Sequence, residues 1–285
     1  MMENNLIAIL GAGKMGAGIA QITAQSGYNV ILRDLQLSVL QDGLKLIEEN
    51  LDKYIGCQTL SVAQKEDILK HINITTDFSK VKNADIVIES VVENMAVKKQ
   101  VFNELDNICS PDAILATNTS SLSISEIASS TKYKERIMGL HFHNPVPEFE
   151  LVEIIKGFDT SDTVLEQAKE FVTSINKNYL LVEGESPGYV VNRMTYTFIN
   201  EAISIFFEGS ASVENIDDAM KLILKMPLGP LALADRIGLD SLHSALLTLY
   251  DEWKNPKYVP HRKFTTMVKA GHWGKKTGKG FYRYD

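Results

Sequence analysis

The chain has 285 residues, of which 45% are hydrophobic, so it can bury a sizeable core, and we expect two domains. Its formal net charge of −7, without a long basic run, argues against a nucleic-acid-binding surface. No apolar stretch is long and uncharged enough to cross a bilayer, and the first residues lack a cationic leader. Cys57 and Cys109 lie far apart without metal-ligand spacing, which predicts reduced thiols, a cytoplasmic location and no metal site.

The first predicted strand, Leu6–Leu10, is continuously apolar, as expected for a strand buried on both faces. A turn and a helix follow, and the turn consists of Gly11, Ala12, Gly13, Lys14, Met15 and Gly16. The three glycines permit a tight turn, backbone approach to a pyrophosphate and close packing of the helix on the strand, in that order. Phosphates would lie at the helix start, where N–H groups and the dipole favour anions. The pattern predicts a dinucleotide site, with a glycine turn that binds nothing as the alternative.

The second predicted strand, Asn29–Arg33, ends just before Asp34. An acid at this position can accept both hydroxyls of an adenosine ribose and would repel a 2′-phosphate, which favours NAD over NADP. The neighbouring Arg33 keeps NADP open as an alternative. Residues 35–71 then show apolar side chains at spacings of three and four, which predicts an αα-hairpin inserted after the second strand.

Further strands are predicted at residues 72–75, 84–88 and 114–117, and a loop at 89–94 leads to a helix at 97–105. Polar residues 118–121 follow the last of these strands, where hydroxyl and amide groups could meet a ligand or cap a loop. Strand and helix keep alternating to about residue 182. This alternation predicts a doubly wound sheet.

An apolar run, residues 136–141, ends in His141, and a second run, 151–155, contains Glu153. Two prolines interrupt the chain between them, so the loop should hold side chains at the rim of the sheet, where ligands of α/β folds bind. His141 can exchange a proton near neutral pH. Glu153 needs a partner if it is buried, and His141 is the candidate. On this local pattern alone, a structural histidine remains the alternative to a catalytic one.

The turn-rich segment 183–188 predicts a boundary between domains of residues 1–185 and 186–285. Beyond it, residues 189–207 are apolar on most of a helix circumference, which is typical of a helix buried on several sides. We therefore expect a helical domain that packs on the first domain and on a second subunit. Asn192 in this helix is either a substrate ligand or a satisfied core amide.

Several sequence segments together resemble those of a known family. They are residues 11–16, 116–121, 141–147, 151–155, 187–193, 227–231 and 274–282. Through them the whole chain resembles the NAD-dependent 3-hydroxyacyl-CoA dehydrogenases of fatty acid metabolism, especially the short bacterial 3-hydroxybutyryl-CoA type. The resemblance implies an α/β fold with a Rossmann-like doubly wound sheet, the inserted αα-hairpin and an all-helical C-terminal domain for substrate and dimerisation. It also implies NAD as cofactor, an acyl-CoA substrate and a homodimer.

The resemblance further implies roles for individual residues. His141 would be the catalytic base and Glu153 the carboxylate that orients it. The residues expected to hold the reacting oxygen and the substrate carbonyl are Ser120 and Asn144, with Asn192 nearby. The residues expected at the cofactor, from the glycine turn and the resemblance together, are Gly11, Gly13, Lys14, Met15, Gly16, Asp34, Glu93, Lys98, Asn118 and Ser120. The residues expected at the substrate are Ser120, His143, Asn144, Lys53 and Asn192.

The chain departs from the family pattern at three places. His143 stands where relatives usually have an apolar residue, and residues 148–150 are Glu-Phe-Glu in place of Val-Met-Lys. The hairpin turn at 55–60 lacks the basic residue that in relatives meets the phosphates of coenzyme A, although Lys53 is close in sequence. The alternative substrate is therefore a polar hydroxyacyl unit, such as a glyceryl unit, on an acyl carrier protein for polyketide extender-unit synthesis. His143 would suit the extra hydroxyl.

Two other classes of protein are alternatives. The β-hydroxyacid dehydrogenases also join a Rossmann domain to a helical one, but they use a catalytic lysine in the helical domain. Here His141 and Glu153 precede the predicted boundary. A non-catalytic NAD-binding structural protein is the second class, and loss of the active-site histidine would be its mark.

Overall fold

The computed structural model describes residues 5–284, which form two compact units, one ending at Glu185 and the other beginning at Ser186. The expectation that no leader begins the chain concerns residues 1–4, which lie outside the described range. Among residues 5–284, none of the helices combines the length and the apolar character that a bilayer span requires.

The first unit is built on one mixed β-sheet. In the described residues its strands are β1 (Leu6–Leu10), β2 (Asn29–Arg33), β3 (Ile72–Thr75), β4 (Ile86–Glu89), β5 (Ile114–Thr117), β6 (Ile137–Phe142), β7 (Leu151–Ile155) and β8 (Asn178–Val182). Their order is β3-β2-β1-β4-β5-β6-β7-β8. All neighbours run parallel except β6 and β7, which are antiparallel. The chain changes direction of travel across the sheet between β1 and β4, and ligands of such sheets bind at that switch point.

Helices connect these strands. They are α1 (Lys14–Gln25), α2 (Leu37–Gly56), α3 (Val62–Lys70), α4 (Met95–Ile108), α5 (Ile124–Ala128) and α6 (Asp162–Ser174). In α2 the buried apolar residues Leu40, Ile47 and Leu51 repeat at helical spacing and pack into the core. Helix α3 starts with a capping box, in which Ser61 and Gln64 each accept a hydrogen bond from the other's backbone N–H. The predicted αα-hairpin after β2 is therefore confirmed.

The structure corrects several predicted boundaries. Glu89, predicted to begin a loop, is the last residue of β4 and is buried. Helix α4 begins two residues before the predicted start, because the side chain of Asn94 accepts a hydrogen bond from Val97 N and so caps the helix. Strand β6 extends one residue beyond His141, to Phe142.

The apolar strands are buried on both faces, as their sequences predict. Residues 7–10 of β1 are fully buried, and so are Val87 and Ile88 of the neighbouring β4. Helices pack on this sheet through buried apolar side chains, including Ile19 of α1 and Phe171 of α6. The core therefore holds the strands firmly and leaves their carboxyl ends to present polar side chains.

The second unit is helical, as predicted. Its helices in the described residues are α7 (Val191–Phe207), α8 (Val213–Leu224), α9 (Pro230–Ile237), α10 (Leu239–Trp253) and α11 (Arg262–Lys269). Helix α7 begins two residues later than predicted, since Tyr189 has a left-handed φ of 44° that a helix does not allow. The core of the unit includes Ile203, Leu242 and Phe264, each fully buried.

Candidate active site

The glycine turn has the backbone that its sequence predicts. Gly11 has φ +95°, and a Cβ there would lie 2.4 Å from the carbonyl oxygen of Ser90. A Cβ at Gly16 would lie 1.8 Å from the carbonyl oxygen of Gly11. A Cβ at Gly13, in contrast, would meet no atom of the described residues within 4 Å, so open space lies before the N-terminus of α1. This space and the unpaired N–H groups of a helix start suit a pyrophosphate.

Asp34 is fixed against this turn. Its Oδ2 accepts a hydrogen bond of 2.8 Å from Ala12 N, and its Oδ1 accepts one of 2.7 Å from Leu35 N. The guanidinium of Arg33 lies 4.9 Å from the centre of the Phe78 ring, so its charge is held against an aromatic face. The acid therefore stays at the end of β2, where it suits an unphosphorylated ribose. The residues fit NAD. Of the other predicted residues of the turn, Lys14 is exposed and Met15 is half-buried.

A buried ion pair lies beside the switch point. The Lys98 Nζ lies 2.7 and 3.0 Å from the two carboxylate oxygens of Glu89, and 3.3 Å from Oε2 of Glu93. Lys98 and Glu89 are almost completely buried. The ammonium of Lys98 contacts these two carboxylates, and its predicted place beside the cofactor remains a prediction. Glu89 is absent from the predicted site, although an acid directly after an apolar run is the same signal that identifies Asp34.

Glu93 holds the turn that contains Ser120. Its Oε1 accepts hydrogen bonds from the hydroxyl of Thr119, from the Ser121 hydroxyl at 3.2 Å and from Ser120 N at 3.3 Å. Lys98, on the other carboxylate oxygen, keeps this acceptor close to a positive charge. Glu93 therefore links the start of α4 to the turn that follows β5.

Asn118 joins the ends of three neighbouring strands. Its Oδ1 accepts a hydrogen bond of 2.8 Å from Phe142 N at the end of β6, and its Nδ2 donates to the Ser90 hydroxyl at 3.4 Å. Its backbone N donates to the carbonyl of Glu89, the last residue of β4. The side chain thus has a structural task that the sequence does not reveal, and its predicted contact with the cofactor remains a prediction.

His141 and Glu153 form a buried pair, as their sequence positions predict. They are direct partners in the antiparallel ladder of β6 and β7, and His141 Nδ1 lies 2.8 Å from Glu153 Oε2. His141 is 5% exposed and Glu153 is fully buried. Burial lowers the pKa of His141 below its usual value, while the hydrogen bond to Glu153 acts in the opposite direction. A neutral imidazole that donates from Nδ1 has its lone pair on Nε2, so the ring can accept a proton there.

His143 places a second imidazole on the same carboxylate. Its Nε2 lies 3.4 Å from Glu153 Oε2, yet this buried nitrogen has no hydrogen-bond partner among the described residues. The ring meets that of His141 edge-on at 4.6 Å between centroids, and Phe149 lies on its other side at 6.3 Å. Its predicted contact with substrate remains a prediction.

The loop between β6 and β7 is anchored by a lysine from outside it. Lys177 Nζ donates to the carbonyl oxygens of Val146 at 3.1 Å, Pro147 at 3.4 Å and Phe149 at 2.6 Å. Val146 is buried against Gly18 of α1, where a Cβ would lie 2.8 Å from the Val146 Cβ. The loop is thus held against α1, which follows the glycine turn, and against the start of β8. Nothing in the sequence near Lys177 predicts this contact.

The remaining predicted residues lie elsewhere. Asn144 is exposed on the same loop, before a cis Asn144–Pro145 peptide bond. Lys53 is exposed near the end of α2, where its Nζ donates to Asn50 Oδ1 at 3.2 Å. Asn192 lies in the first turn of α7, in the second unit. Their proposed roles toward substrate remain predictions.

Comparison with known proteins gives full-length matches. Residues 6–185 match the family model described as 3-hydroxyacyl-CoA dehydrogenase, NAD binding domain, and residues 188–284 match the C-terminal domain model of the same name. The chain is 46% identical over 279 residues to a 3-hydroxybutyryl-CoA dehydrogenase of Clostridioides difficile, covering 98% of this chain and 99% of the relative. It is 38% identical over 289 residues to the human mitochondrial hydroxyacyl-coenzyme A dehydrogenase, covering 98% and 90%. The crystal structure of (S)-3-hydroxybutyryl-CoA dehydrogenase PaaH1 from Ralstonia eutropha superposes with a TM-score of 0.94 at 41% identity, covering 99% of this chain and 100% of the other.

Proposed function

Because the chain belongs to the 3-hydroxyacyl-CoA dehydrogenase family and is an NAD-dependent dehydrogenase of a CH–OH group, we propose that its substrate is a short-chain (S)-3-hydroxyacyl-CoA such as (S)-3-hydroxybutyryl-CoA. The names of the Clostridioides difficile and Ralstonia eutropha relatives support this chain length, and the latter supports this configuration. The buried contact of His141 with Glu153, at 2.8 Å, is the observation on which the proposed chemistry rests.

Each residue of the site has a defined task in the proposed reaction. When bound, NAD supplies the acceptor for the hydrogen and the electron pair that leave the carbinol carbon. His141 takes the hydroxyl proton at Nε2, and Glu153 fixes the tautomer and stabilises the imidazolium that forms. Ser120, on the turn held by Glu93, and Asn144, on the loop after β6, bind the reacting oxygen and the thioester carbonyl.

The test is the His141→Ala variant. General acid–base catalysis contributes roughly 10²–10⁴-fold, so oxidation of (S)-3-hydroxybutyryl-CoA should fall by that factor while NAD affinity stays within a few-fold. Reduced nicotinamide absorbance measures the rate, and calorimetric titration measures NAD binding. His71→Ala is the matched control, because His71 lies after α3 and contacts Asn29. Undiminished turnover by the His141 variant would contradict His141 as the base. A preference of the parent protein for the (R) substrate would contradict the proposed configuration.

The hairpin favours a second candidate substrate, a polar hydroxyacyl unit on an acyl carrier protein. Residues 55–60, at the end of α2 and in the turn after it, carry no charge, and residues 56–59 are exposed. Lys53, which is close in sequence, donates its Nζ hydrogen bond to Asn50. Loss of a hydrogen bond to a charged group costs about 1.5–3 kcal/mol, which would weaken the binding of coenzyme A. Turnover of glyceryl-loaded carrier protein is compared with that of 3-hydroxybutyryl-CoA. Faster turnover of the coenzyme A substrate excludes the carrier.

The second unit supports a homodimer. Its apolar side chains remain exposed at Met194 (69%), Leu222 (68%), Ile223 (76%) and Leu224 (57%). Exposed apolar patches commonly mark contacts between proteins. Light scattering after size exclusion should give the mass of a dimer, and Ile223→Glu should shift it toward a monomer. A monomeric parent chain would contradict the proposal.

A further inference from the structure

The end of β6 brings nitrogen and oxygen donors together in a way that simple proton transfer does not require. His143 directly follows β6, and its ring lies edge-on to that of His141 with 4.6 Å between the ring centroids. Antiparallel pairing puts Glu153 directly opposite His141. The ligand atoms of these three residues all lie within 4.8 Å of one another. Cysteine spacing gives no indication of such a cluster, because its donors are imidazoles and a carboxylate.

The distances are close to those of a tetrahedral metal site. Zinc–nitrogen and zinc–oxygen bonds of about 2.0–2.2 Å separate neighbouring donor atoms by roughly 3.3 Å. Here the Glu153 oxygen lies 2.8 Å from His141 Nδ1 and 3.4 Å from His143 Nε2. The nitrogens of His141 and His143 lie within 4.8 Å of each other, so ring rotations that bring them closer would place all three atoms at bonding distance of one ion, with a fourth position left for water.

The charges and donor types favour a transition-metal ion such as zinc over magnesium and calcium. Two imidazoles and one carboxylate suit zinc, whereas magnesium and calcium prefer oxygen donors alone. The Glu153 carboxylate is fully buried. A divalent cation would neutralise this negative charge. It would also give the buried Nε2 of His143 the partner that it lacks among the described residues.

We propose that His141, His143 and Glu153 bind one Zn²⁺ ion, and that this ion inhibits the dehydrogenase reversibly. Coordination takes the lone pair of His141 Nδ1, so the ring proton must move from Nδ1 to Nε2. The neutral ring keeps one proton, and no net proton is released. With Nε2 protonated and Nδ1 bound to the metal, His141 has no lone pair left for the hydroxyl proton of the substrate. Inhibition rests on the proposed function of His141, whereas metal binding does not.

The first test measures binding without catalysis. Protein freed of metal with EDTA and desalted is titrated with Zn²⁺ against a chromophoric chelator, and Co²⁺ serves as a spectroscopic probe of nitrogen coordination. We expect one ion per chain. His143→Phe, which keeps an aromatic ring between His141 and Phe149, should lose at least the ~10–100-fold in affinity that even an outer-shell change costs. His143→Gln is a second, polar variant for the case that His143→Phe does not fold, and it should lose zinc affinity to a similar extent.

Cys57→Ser removes the exposed thiol, the strongest competing zinc ligand on the surface, and should bind Zn²⁺ as the parent does. Equal affinity in the parent and both His143 variants would overturn the site, and so would binding lost with Cys57. Turnover is then measured with and without Zn²⁺, each variant relative to its own metal-free rate. Zinc should inhibit the parent, EDTA should restore it, and the His143 variants should resist. Stoichiometric binding that leaves turnover unchanged would refute inhibition and count against His141 as the base.

Discussion

Replacing Glu153 by glutamine should slow oxidation of the substrate. It should also move the acid limb of the profile of kcat/KM against pH to lower pH. Glutamine keeps the size of the side chain and an acceptor oxygen, so the substitution removes mainly the charge. A hydrogen bond to a charged group contributes about 1.5–3 kcal/mol and a neutral one about 0.5–1.5. The difference of roughly 1–2 kcal/mol corresponds to about 5–30-fold in rate. Since Glu153 is fully buried and 2.8 Å from His141 Nδ1, we expect the upper end of this range.

The direction of the pH change follows from what acts on His141. Burial lowers its pKa, and Glu153 opposes that shift through its hydrogen bond and its charge. Without the charge the pKa falls further, so His141 stays neutral to lower pH and the acid limb of kcat/KM shifts down. The profile is recorded in metal-free buffer, with Glu150→Gln as the control at an exposed acid of the same loop. A limb that stays in place or moves to higher pH would refute the pairing as the cause.

Further predictions concern the residues around this pair. Lys98→Met should destabilise the protein by about 3–5 kcal/mol in urea unfolding, because it leaves Glu89 buried without its cation, whereas Lys99→Met at an exposed ion pair should cost less than ~1 kcal/mol. Lys177→Met should lower kcat by up to ~10²-fold through displacement of the loop, with NAD affinity unchanged in calorimetry. Asp34→Asn should narrow the preference for NAD over NADP in the ratio of kcat/KM values, because it removes the charge that repels a 2′-phosphate. An unchanged free energy of unfolding would contradict the Lys98 prediction, and an unchanged kcat would contradict the Lys177 prediction. An unchanged ratio of kcat/KM values for NAD and NADP would contradict the Asp34 prediction.

Local features of the sequence predict much of the fold. The apolar strands, the glycine turn and the capping residues act within a few positions of one another, and periodicity reveals them directly. Gly11 illustrates this, since its φ of +95° follows from the turn that the pattern requires. The sequence likewise predicts Asp34 at the end of β2, because a charged residue directly after an apolar run has few structural alternatives.

Local sequence patterns do not predict contacts between separate segments in the same way. Glu89 reaches Lys98 across nine positions, and Lys177 reaches the β6–β7 loop across about thirty, with no local pattern marking either pair. Asn118 has a sequence context typical of a ligand-binding turn, yet its side chain joins neighbouring strands. Such contacts depend on topology, and the sequence alone does not specify which strands become neighbours.

The residues that sequence patterns miss are those that fix the register of the site. A shift of β7 by one residue against β6 would turn Glu153 to the opposite face of the sheet and leave His141 without its acid. Lys177 and Val146 hold the connecting loop against β8 and α1, and so oppose that shift. The same register places His143 on the carboxylate as well. One arrangement of backbone therefore positions both the pair proposed for proton transfer and the three residues proposed to bind zinc, and under that proposal the residue at position 143 decides whether a metal ion competes with the reaction.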